Sequence, residues 1–277
     1  KIGFGKVIGN IALADTAQKV TLYGNYGQMH ERKDTIGSHG FATDSALLVD
    51  WSDEKQYAYM HADTLFSEEK IYQIESEQGT IDSVYHLVRA HHKVRMYRED
   101  VQSVCDSLIY FDRDSIMSLY STPVCWSDSN QLSADSIKIY MRNNTVDYIY
   151  GKGNALTVKQ ETDEYFNQMS GKEITAYIRD QELVRVDVSG NALTIFYPED
   201  EKEEGRYTGL NETQSSYVKM FLEDQKIHHI LFTSETTGTM YPLSQVPSGK
   251  DKLPGFFWAE AVRPLTPKDV FSTSNQT

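Results

Sequence analysis

The sequence has few cysteines, few basic residues and no long apolar run, and each shortage narrows the class of protein. Two cysteines, Cys105 and Cys125, are too few for a disulfide framework. They could pair across neighbouring strands in an oxidising compartment or stay as two buried thiols. No run of 18 apolar residues occurs, so no membrane-spanning helix is expected.

The charge balance argues against a nucleic-acid partner. The chain has 27 Lys and Arg against 40 Asp and Glu, which gives a formal net charge of −13. A phosphate backbone would be repelled by such a surface.

Signatures of catalysis are also missing. The sequence contains no GxSxG, HExxH, P-loop or CxxC motif. Adjacent histidines at 91–92 and 228–229 would point to opposite faces of a strand, which disfavours a shared metal ion. We therefore expect no catalytic residue, metal or cofactor. A pair of carboxylates for glycoside hydrolysis is kept as an alternative, because their separation in space is invisible in a sequence.

What the sequence does contain is typical of β-structure. Aromatic residues make up 12% of the chain, and 18 of them are tyrosines, which suit a pleated, half-buried surface. Helical periodicity is scarce, and the only helix predicted is a short one over 66–79.

An internal repeat is the strongest signal. GNALTV at 153–158 returns as GNALTI at 190–195. A shift of 37 residues also places Ile137 on Ile174 and Tyr140 on Tyr177 without a gap. A third copy, 218–232, lies over 174–188, and 14–27 carries a fourth trace. Such periodicity is the signature of stacked units.

Each copy predicts a hairpin. Two short β-runs flank a polar link at RNN (142–144), RDQE (179–182) and EDQK (223–226). The Gly-Asn pairs tolerate positive φ and are predicted to form the next turn. A second phrase, Asp followed by Ser or Thr, recurs in DSALLVD (44–50), ADTLF (62–66), DSLIYFD (106–112) and ADSIKIYM (134–141), and is predicted to be turn chemistry at strand edges.

Alternation along the strands assigns one apolar side to the stacked hairpins. The residues predicted to line a continuous apolar interior, or groove, are Ile137, Ile139, Met141, Ile149, Leu156, Val158, Ile174, Ile178, Val186, Leu193, Ile195, Met220, Leu222 and Ile230. Lys138, Tyr140 and Tyr177 are predicted to face outward. The bland alternative is that the apolar side is only a packed core.

We predict a hairpin-repeat β-domain over 1–245, with two consecutive sub-domains meeting near 160, followed by a Pro-rich segment over 246–277. Five of the seven prolines lie in 241–271, and this end is predicted to wrap or close the array. The last six residues are predicted to be disordered.

The serial order of these phrases resembles the OstA-like family. The matching stretches are DSL, ADTL and ADSI at strand starts, GNALTV and GNALTI, and YFNQMSGKEITAYI with LVRVDVSGNALTIFY. The family includes LptA and the N-terminal domain of LptD, which transport lipopolysaccharide, and the chain is most similar in style to longer OstA-like proteins of Bacteroidetes-type bacteria. The resemblance spans roughly 7–235.

The resemblance implies an all-β fold, a folded antiparallel sheet described as a β-taco or open β-jelly roll. It implies a non-enzymatic bridge that holds lipopolysaccharide or another acylated lipid by its acyl chains. It also implies partners that pair along edge strands, either other OstA-like transport components or a second copy. A start at Lys1 instead of Met suggests a processed or truncated chain, and the expected location is the periplasm. The alternative functions are a β-solenoid carbohydrate-active enzyme and a surface structural module.

Overall fold

Hydrogen-bonded β-strands make up most of the protein. The computed structural model describes residues 3–16, 19–31, 37–76, 79–143, 145–200, 202–203, 205–224 and 226–272. These residues form sixteen strands, which pair in antiparallel fashion, and three short 3₁₀-helices, Leu243–Gln245, Glu260–Val262 and Pro267–Phe271. The predicted all-β array of serial hairpins is confirmed. None of the described helices is long and apolar enough to cross a membrane.

The chain divides into two compact units. Unit one is Lys1–Ser121, Met141–Asn144 and Val262–Thr277, and unit two is Thr122–Tyr140 and Thr145–Ala261. Residue 160, where the sequence suggested that two sub-domains meet, is the last residue of a strand within unit two. Residues 273–277, most of the tail predicted to be disordered, lie outside the described residues.

Unit one is a run of strands that pair with their neighbours in sequence. The strands are β1 (Gly3–Asp15), β2 (Val20–Glu31), β3 (His39–Asp50), β4 (Ala58–Ser76), β5 (Gly79–Tyr97), β6 (Gln102–Phe111) and β7 (Ile116–Tyr120).

Unit two repeats this up-and-down arrangement in the order β10, β11, β12, β13, β14 and β15, with β16 also on β14 and a small β8–β9 hairpin on β11. The strands are β8 (Val124–Ser127), β9 (Asn130–Ser133), β10 (Ser136–Arg142), β11 (Thr145–Gln160), β12 (Phe166–Arg179), β13 (Glu182–Phe196), β14 (Gly209–Glu223), β15 (Lys226–Thr233) and β16 (Thr237–Pro242). The three predicted hairpin links fall between β10 and β11, β12 and β13, and β14 and β15.

The predicted helix over 66–79 is wrong. Its described residues belong to β4 and the start of β5, which pair as a long ribbon from Glu69 opposite His86 to Ser76 opposite Gly79. Cross-strand aromatic contacts override the weak helical pattern, because Tyr72 and Tyr85 meet edge-to-face at 5.6 Å.

The Gly-Asn pairs do adopt positive φ, but they do not form turns between strands. Gly153 and Asn154 have φ of 77° and 45°, and Gly190 and Asn191 have φ of 79° and 56°. Both pairs lie inside long strands. Gly153 and Asn154 stand opposite one residue of β12, Lys172, and Gly190 and Asn191 stand opposite one residue of β14, Ser216. They are β-bulges, which bend a strand and increase its twist without ending it. The prediction that they make turns is wrong. Positive φ values occur in tight turns and also in β-bulges, and here they serve bulges.

Bulges recur at equivalent places in unit one. Register shifts on neighbouring strands accompany pairs with positive φ at Gly9-Asn10, Asp44-Ser45 and His92-Lys93. The bulges therefore lie on alternate strands of this unit, β1, β3 and β5, as they do on β11 and β13 of unit two.

The recurring Asp-Ser/Thr phrase lies along these same lines. Asp135 accepts hydrogen bonds from Asn154 Nδ2 to its two carboxylate oxygens at 3.1 and 3.2 Å, and its N–H donates to the Gly153 carbonyl. In unit one, Asp106 lies 3.2 Å from the His92 ring nitrogen and Asp63 lies 3.1 Å from the Lys93 ammonium. The phrase therefore supplies carboxylates next to the bulges, and is not confined to the strand edges where it was predicted.

Small residues let the unit-one strands pack closely. One cross-strand row runs through Gly27, Ala42, Leu65, Ala90 and Leu108, so that large and small side chains alternate. The last four members are at most 1% exposed. A β-carbon on Gly27 would lie 2.8 Å from the Phe41 carbonyl oxygen, which leaves no room for a side chain.

Gly171 in β12 offers a test of this close packing in unit two. A β-carbon there would lie 2.7 Å from Val188 Cγ1 and 2.9 Å from the Ser189 carbonyl oxygen. We expect Gly171→Ala to destabilise the protein by about 1–3 kcal/mol, because stiff, buried Val188 cannot move aside. The measurement is the midpoint of urea unfolding. Gly5→Ala is the matched control, since nothing lies within 4 Å of its β-carbon; equal midpoints for the two variants would contradict the packing account.

Candidate functional site

A cross-strand row of apolar residues runs through unit two. Ile149 of β11 pairs with Ala176, Ala176 with Val186, Val186 with Met220, and Met220 with Ile230. Ile149, Val186 and Ile230 are the positions that the repeat predicted to match. The register of the hairpins, set by their tight links, brings them together on successive strands.

A second cross-strand row lies two residues further along β11. Gly151 pairs with Ile174, Ile174 with Val188, and Val188 with Val218. Ile174, Val188 and Val218 are fully buried. The absent side chain of Gly151 leaves space for Leu132, whose Cδ1 would lie 3.5 Å from a β-carbon at that position.

An apolar pocket lies among these residues. Its walls come from β8, β9 and strands β11 to β13, and the lining residues are Cys125, Trp126, Ser127, Asn130, Gln131, Leu132, Ile149, Thr157, Ile174, Ala176, Ile178, Leu183 and Val186. Its volume is about 30 Å³. Binding pockets for small ligands measure about 300–1,000 Å³. The open groove expected from the sequence is thus narrowed here to a small pocket, because the β8–β9 hairpin packs over it.

Four of the predicted groove residues line this pocket: Ile149, Ile174, Ile178 and Val186. Sequence analysis missed the hairpin residues Trp126 and Leu132. The short apolar run PVCW (123–126) was the available signal, but it belongs to no repeat copy.

Four other candidates belong to a different cluster. Leu156, Val158 and Ile195 form a buried core with Tyr197, Leu210 and Leu253, and Leu193 packs against it. Phe256 and Trp258 of the Pro-rich segment also pack there, so the chain's own C-terminal part covers this apolar surface. Burial, assisted by the nearby Asp251 carboxylate, raises the pKa of Tyr197 to about 12.

The remaining candidates are spread along the strands. Ile137 and Ile139 are buried at 0% and 2% exposure, Met220 and Leu222 are each 8% exposed, and Met141 and Ile230 are half-buried. None of these six lines the pocket. Met220 and Ile230 nevertheless continue the cross-strand row that starts at the pocket residues Ile149 and Val186.

Two buried glutamines hold the Pro-rich segment in unit two. Gln168 donates to the Asp251 carbonyl and accepts from the Leu253 N–H, both at 2.8 Å. Gln131 donates to the Phe257 carbonyl at 3.0 Å and accepts from the Ala259 N–H at 2.8 Å. Each side-chain amide thus replaces one rung of a β-ladder. Both glutamines are at most 1% exposed, so the bonds are shielded from water.

Unit one holds its share of the C-terminal residues in a similar way. Arg95 donates to the Asp269 and Val262 carbonyls at 3.0 and 2.8 Å. The Arg263 guanidinium donates two hydrogen bonds to Gln102 Oε1, at 2.9 and 2.6 Å. Gln102 is 4% exposed, so polar side chains again fix a segment that has no strand of its own.

The opposite side of the unit-two strands carries an aromatic row. Tyr140 and Tyr148 stack with ring centres 4.2 Å apart, and Tyr148 lies 5.9 Å from Tyr177. The Arg185 guanidinium lies 3.9 Å from the Tyr177 ring centre, a cation–π contact. Tyr177 is absent from the pocket lining although its neighbours Ala176 and Ile178 are present, which fits its predicted outward orientation.

The described side chains offer little for catalysis. Within them no group of three or more His, Cys, Asp and Glu is placed to hold a metal ion. Cys105 and Cys125 are buried and are not joined by a disulfide. Burial raises the pKa of the Cys105 thiol to about 12, which makes it a poor nucleophile at neutral pH.

Comparison with known proteins identifies no family. No family model matches the chain, and no curated protein is similar to it. One solved structure that resembles it is the crystal structure of LptH, the LptA-homologous periplasmic component of the lipopolysaccharide transport device from Pseudomonas aeruginosa. The two are 15% identical with a TM-score of 0.37, over 47% of this chain and 84% of that one. A TM-score below 0.5 does not establish a common fold.

Replacing Gln168 by Leu tests the polar attachment of the Pro-rich segment. We expect a loss of about 2–4 kcal/mol of stability, because the substitution leaves the Asp251 carbonyl and the Leu253 N–H buried without partners. Limited trypsin digestion should then cut faster at Lys250 and Lys252. Gln214→Leu, at an exposed position of β14, is the control. Unchanged cleavage in the Gln168 variant would show that apolar contacts alone hold the segment.

Proposed function

We propose that the protein is a non-enzymatic carrier of acylated lipid that holds hydrocarbon chains against the apolar pocket of unit two. The observation that carries this proposal is the pocket lining itself, in which Trp126, Leu132, Ile174, Ile178 and Val186 converge. Each methylene group moved from water into such surroundings gains about 0.8 kcal/mol. A protein with a net charge of −13 is better suited to hold the tails of an anionic lipid than its phosphates.

The proposed lipid is lipopolysaccharide, and the proposed role is transport or bridging in the periplasm during assembly of the outer membrane. The support for this finer statement is the resemblance of the repeat phrases to the OstA-like family, including its longer Bacteroidetes-type members. The pocket volume of about 30 Å³ limits the closed form to the end of a chain. A complete acyl chain is accommodated when the β8–β9 hairpin moves off strands β11 to β13.

Partners are proposed to bind along an edge strand. Among the described residues β1 pairs with β2 alone, and its other edge carries unpaired backbone groups. Val7, Ile8 and Leu13 on this strand are 44%, 75% and 38% exposed. A strand of a second copy, or of another OstA-like transport component, could add there and cover these side chains.

Site-specific photo-crosslinking in cells tests the lipid proposal. A photoreactive residue at Ile178 or Leu183, which line the pocket, should capture lipopolysaccharide, because an acyl chain would lie against it. The same residue at Tyr177, one position away on the aromatic row, should capture none. The readout is a shifted band that reacts with antibody to lipopolysaccharide. Equal capture from Ile178 and Tyr177 would contradict the proposed site. The pocket-lining positions also distinguish a carrier from a closed structural module, which would capture no lipid at either position.

An edge substitution tests the partner proposal. We expect Ile8→Lys to weaken self-association, because a charged side chain on an edge strand disfavours strand addition. The measurement is sedimentation velocity over a range of protein concentrations. Val84→Lys, at a 49% exposed position of the β4–β5 ribbon, is the control and should leave association unchanged. If both variants and the unmodified chain associate to the same extent, the β1 edge is not the surface through which copies associate.

A further inference from the structure

Trp126 has a buried hydrogen-bond donor that the protein does not use. It lies on β8, is 1% exposed and contributes to the pocket wall. Its indole Nε1 is buried and has no hydrogen-bond partner among the described residues. Trp51 in unit one shows the usual situation, since its Nε1 donates to Thr21 Oγ1 at 3.3 Å. Buried indole N–H groups normally have a partner, so the Trp126 donor needs an explanation.

The polar neighbours do not provide one. Gln131 stands opposite Trp126 in the β8–β9 hairpin and also lines the pocket. Its amide oxygen accepts from the Ala259 N–H, and its amide nitrogen donates to the Phe257 carbonyl. It is therefore committed to holding the Pro-rich segment. The walls from the long strands are mostly aliphatic, with Ile149, Ile174 and Val186, and Thr157 is their polar member. Ser127 and Asn130 are the other polar residues of the lining.

We infer that the pocket prefers an acyl chain that carries an oxygen acceptor, a hydroxyl or an ester carbonyl, along its hydrocarbon, and that Trp126 is the specificity-determining residue. The inference rests on the proposed function. An unpartnered neutral donor in largely apolar surroundings suits a neutral oxygen on an otherwise apolar ligand, because an ionised group would lose its hydration there without a counter-charge. A plain hydrocarbon chain would fill the same space but leave the indole N–H unpaired.

Binding of three probes to the full-length protein tests the inference. The probes are a saturated fatty acid of fourteen carbons, the same acid with a hydroxyl on its third carbon, and the acetate ester of that hydroxy acid. We expect at least one oxygenated probe to bind about fivefold more tightly than the plain acid, the gain of one neutral hydrogen bond. Comparing the hydroxy acid with its acetate ester shows whether a hydroxyl or an ester carbonyl oxygen accepts the hydrogen bond from Trp126.

Trp126→Phe removes the donor and keeps an aromatic ring. In this variant the ratio of the affinities for the oxygenated and the plain probes should fall to about one, whether or not the affinity for the plain acid itself changes. Trp51→Phe is the control, because it removes an indole N–H from unit one, and it should retain the preference. Melting curves show whether the Trp126 variant is folded. If it is not, the indole ¹H–¹⁵N resonance of Trp126 in the unmodified protein replaces it, and should move downfield with the oxygenated probe only.

The outcomes separate the two proposals. Equal binding of all three probes, with lipopolysaccharide still captured at Ile178, overturns the inference about Trp126 and leaves the carrier proposal intact. A preference that survives in Trp126→Phe, or an unmoved Trp126 resonance on binding of an oxygenated probe, also overturns it. No binding of any probe together with no capture at Ile178 overturns the carrier proposal, and the inference falls with it.

Discussion

The structure depends on keeping long strands hydrogen-bonded while they bend. Strands β1 to β5 of unit one have 12 to 19 residues and the strands of unit two have up to 16, and they would form long extended ribbons without interruption. A pair of residues with positive φ interrupts β1, β3, β5, β11 and β13, and the ladder resumes with its register shifted. Glycine and asparagine tolerate this backbone conformation best, which explains why the phrase GNAL is written twice. Because each bulge also shifts the register against the strands paired with it, the bend is shared by the sheet and not confined to one strand.

Polar side chains then determine what covers the bent strands. The Pro-rich segment has almost no regular structure, so its backbone groups need partners from elsewhere. Gln131 and Gln168 supply both a donor and an acceptor to it in unit two. Apolar contacts of Leu253 add buried surface, but such contacts would also form if the segment were shifted by one residue. The directional hydrogen bonds of the two glutamine amides fix its register. The segment is therefore a specified part of the core of unit two.

The repeat made the strand pairing predictable. Ile149, Val186 and Ile230 fall at matching positions if each repeat copy is a hairpin with a short link. Local turn chemistry is enough to form such a hairpin. The same local logic failed at Gly153-Asn154, because a positive φ can serve a turn or a bulge and the choice depends on the neighbouring strand. The division of the apolar residues was not predictable either. Leu156 and Ile149 have the same hydrophobic character, and only the path of the distant segment around Leu253 decides that one is covered and the other lines the pocket.

The small volume of the pocket follows from the position of the β8–β9 hairpin. Its strands have four residues each, and β9 is joined to β11 by four residue pairs. A short hairpin has little independent stability, so its contacts are among those most easily exchanged. About ten methylene groups, at 0.8 kcal/mol each, would contribute about 8 kcal/mol on entering an apolar site. That gain has to offset the loss of the four β9–β11 pairs, of the two hydrogen bonds of Gln131 to the Pro-rich segment and of the apolar contacts of Leu132. The acyl chain would then lie between the hairpin and strands β11 to β13, in contact with Trp126, and a carrier can keep that face covered between lipids without closing it permanently.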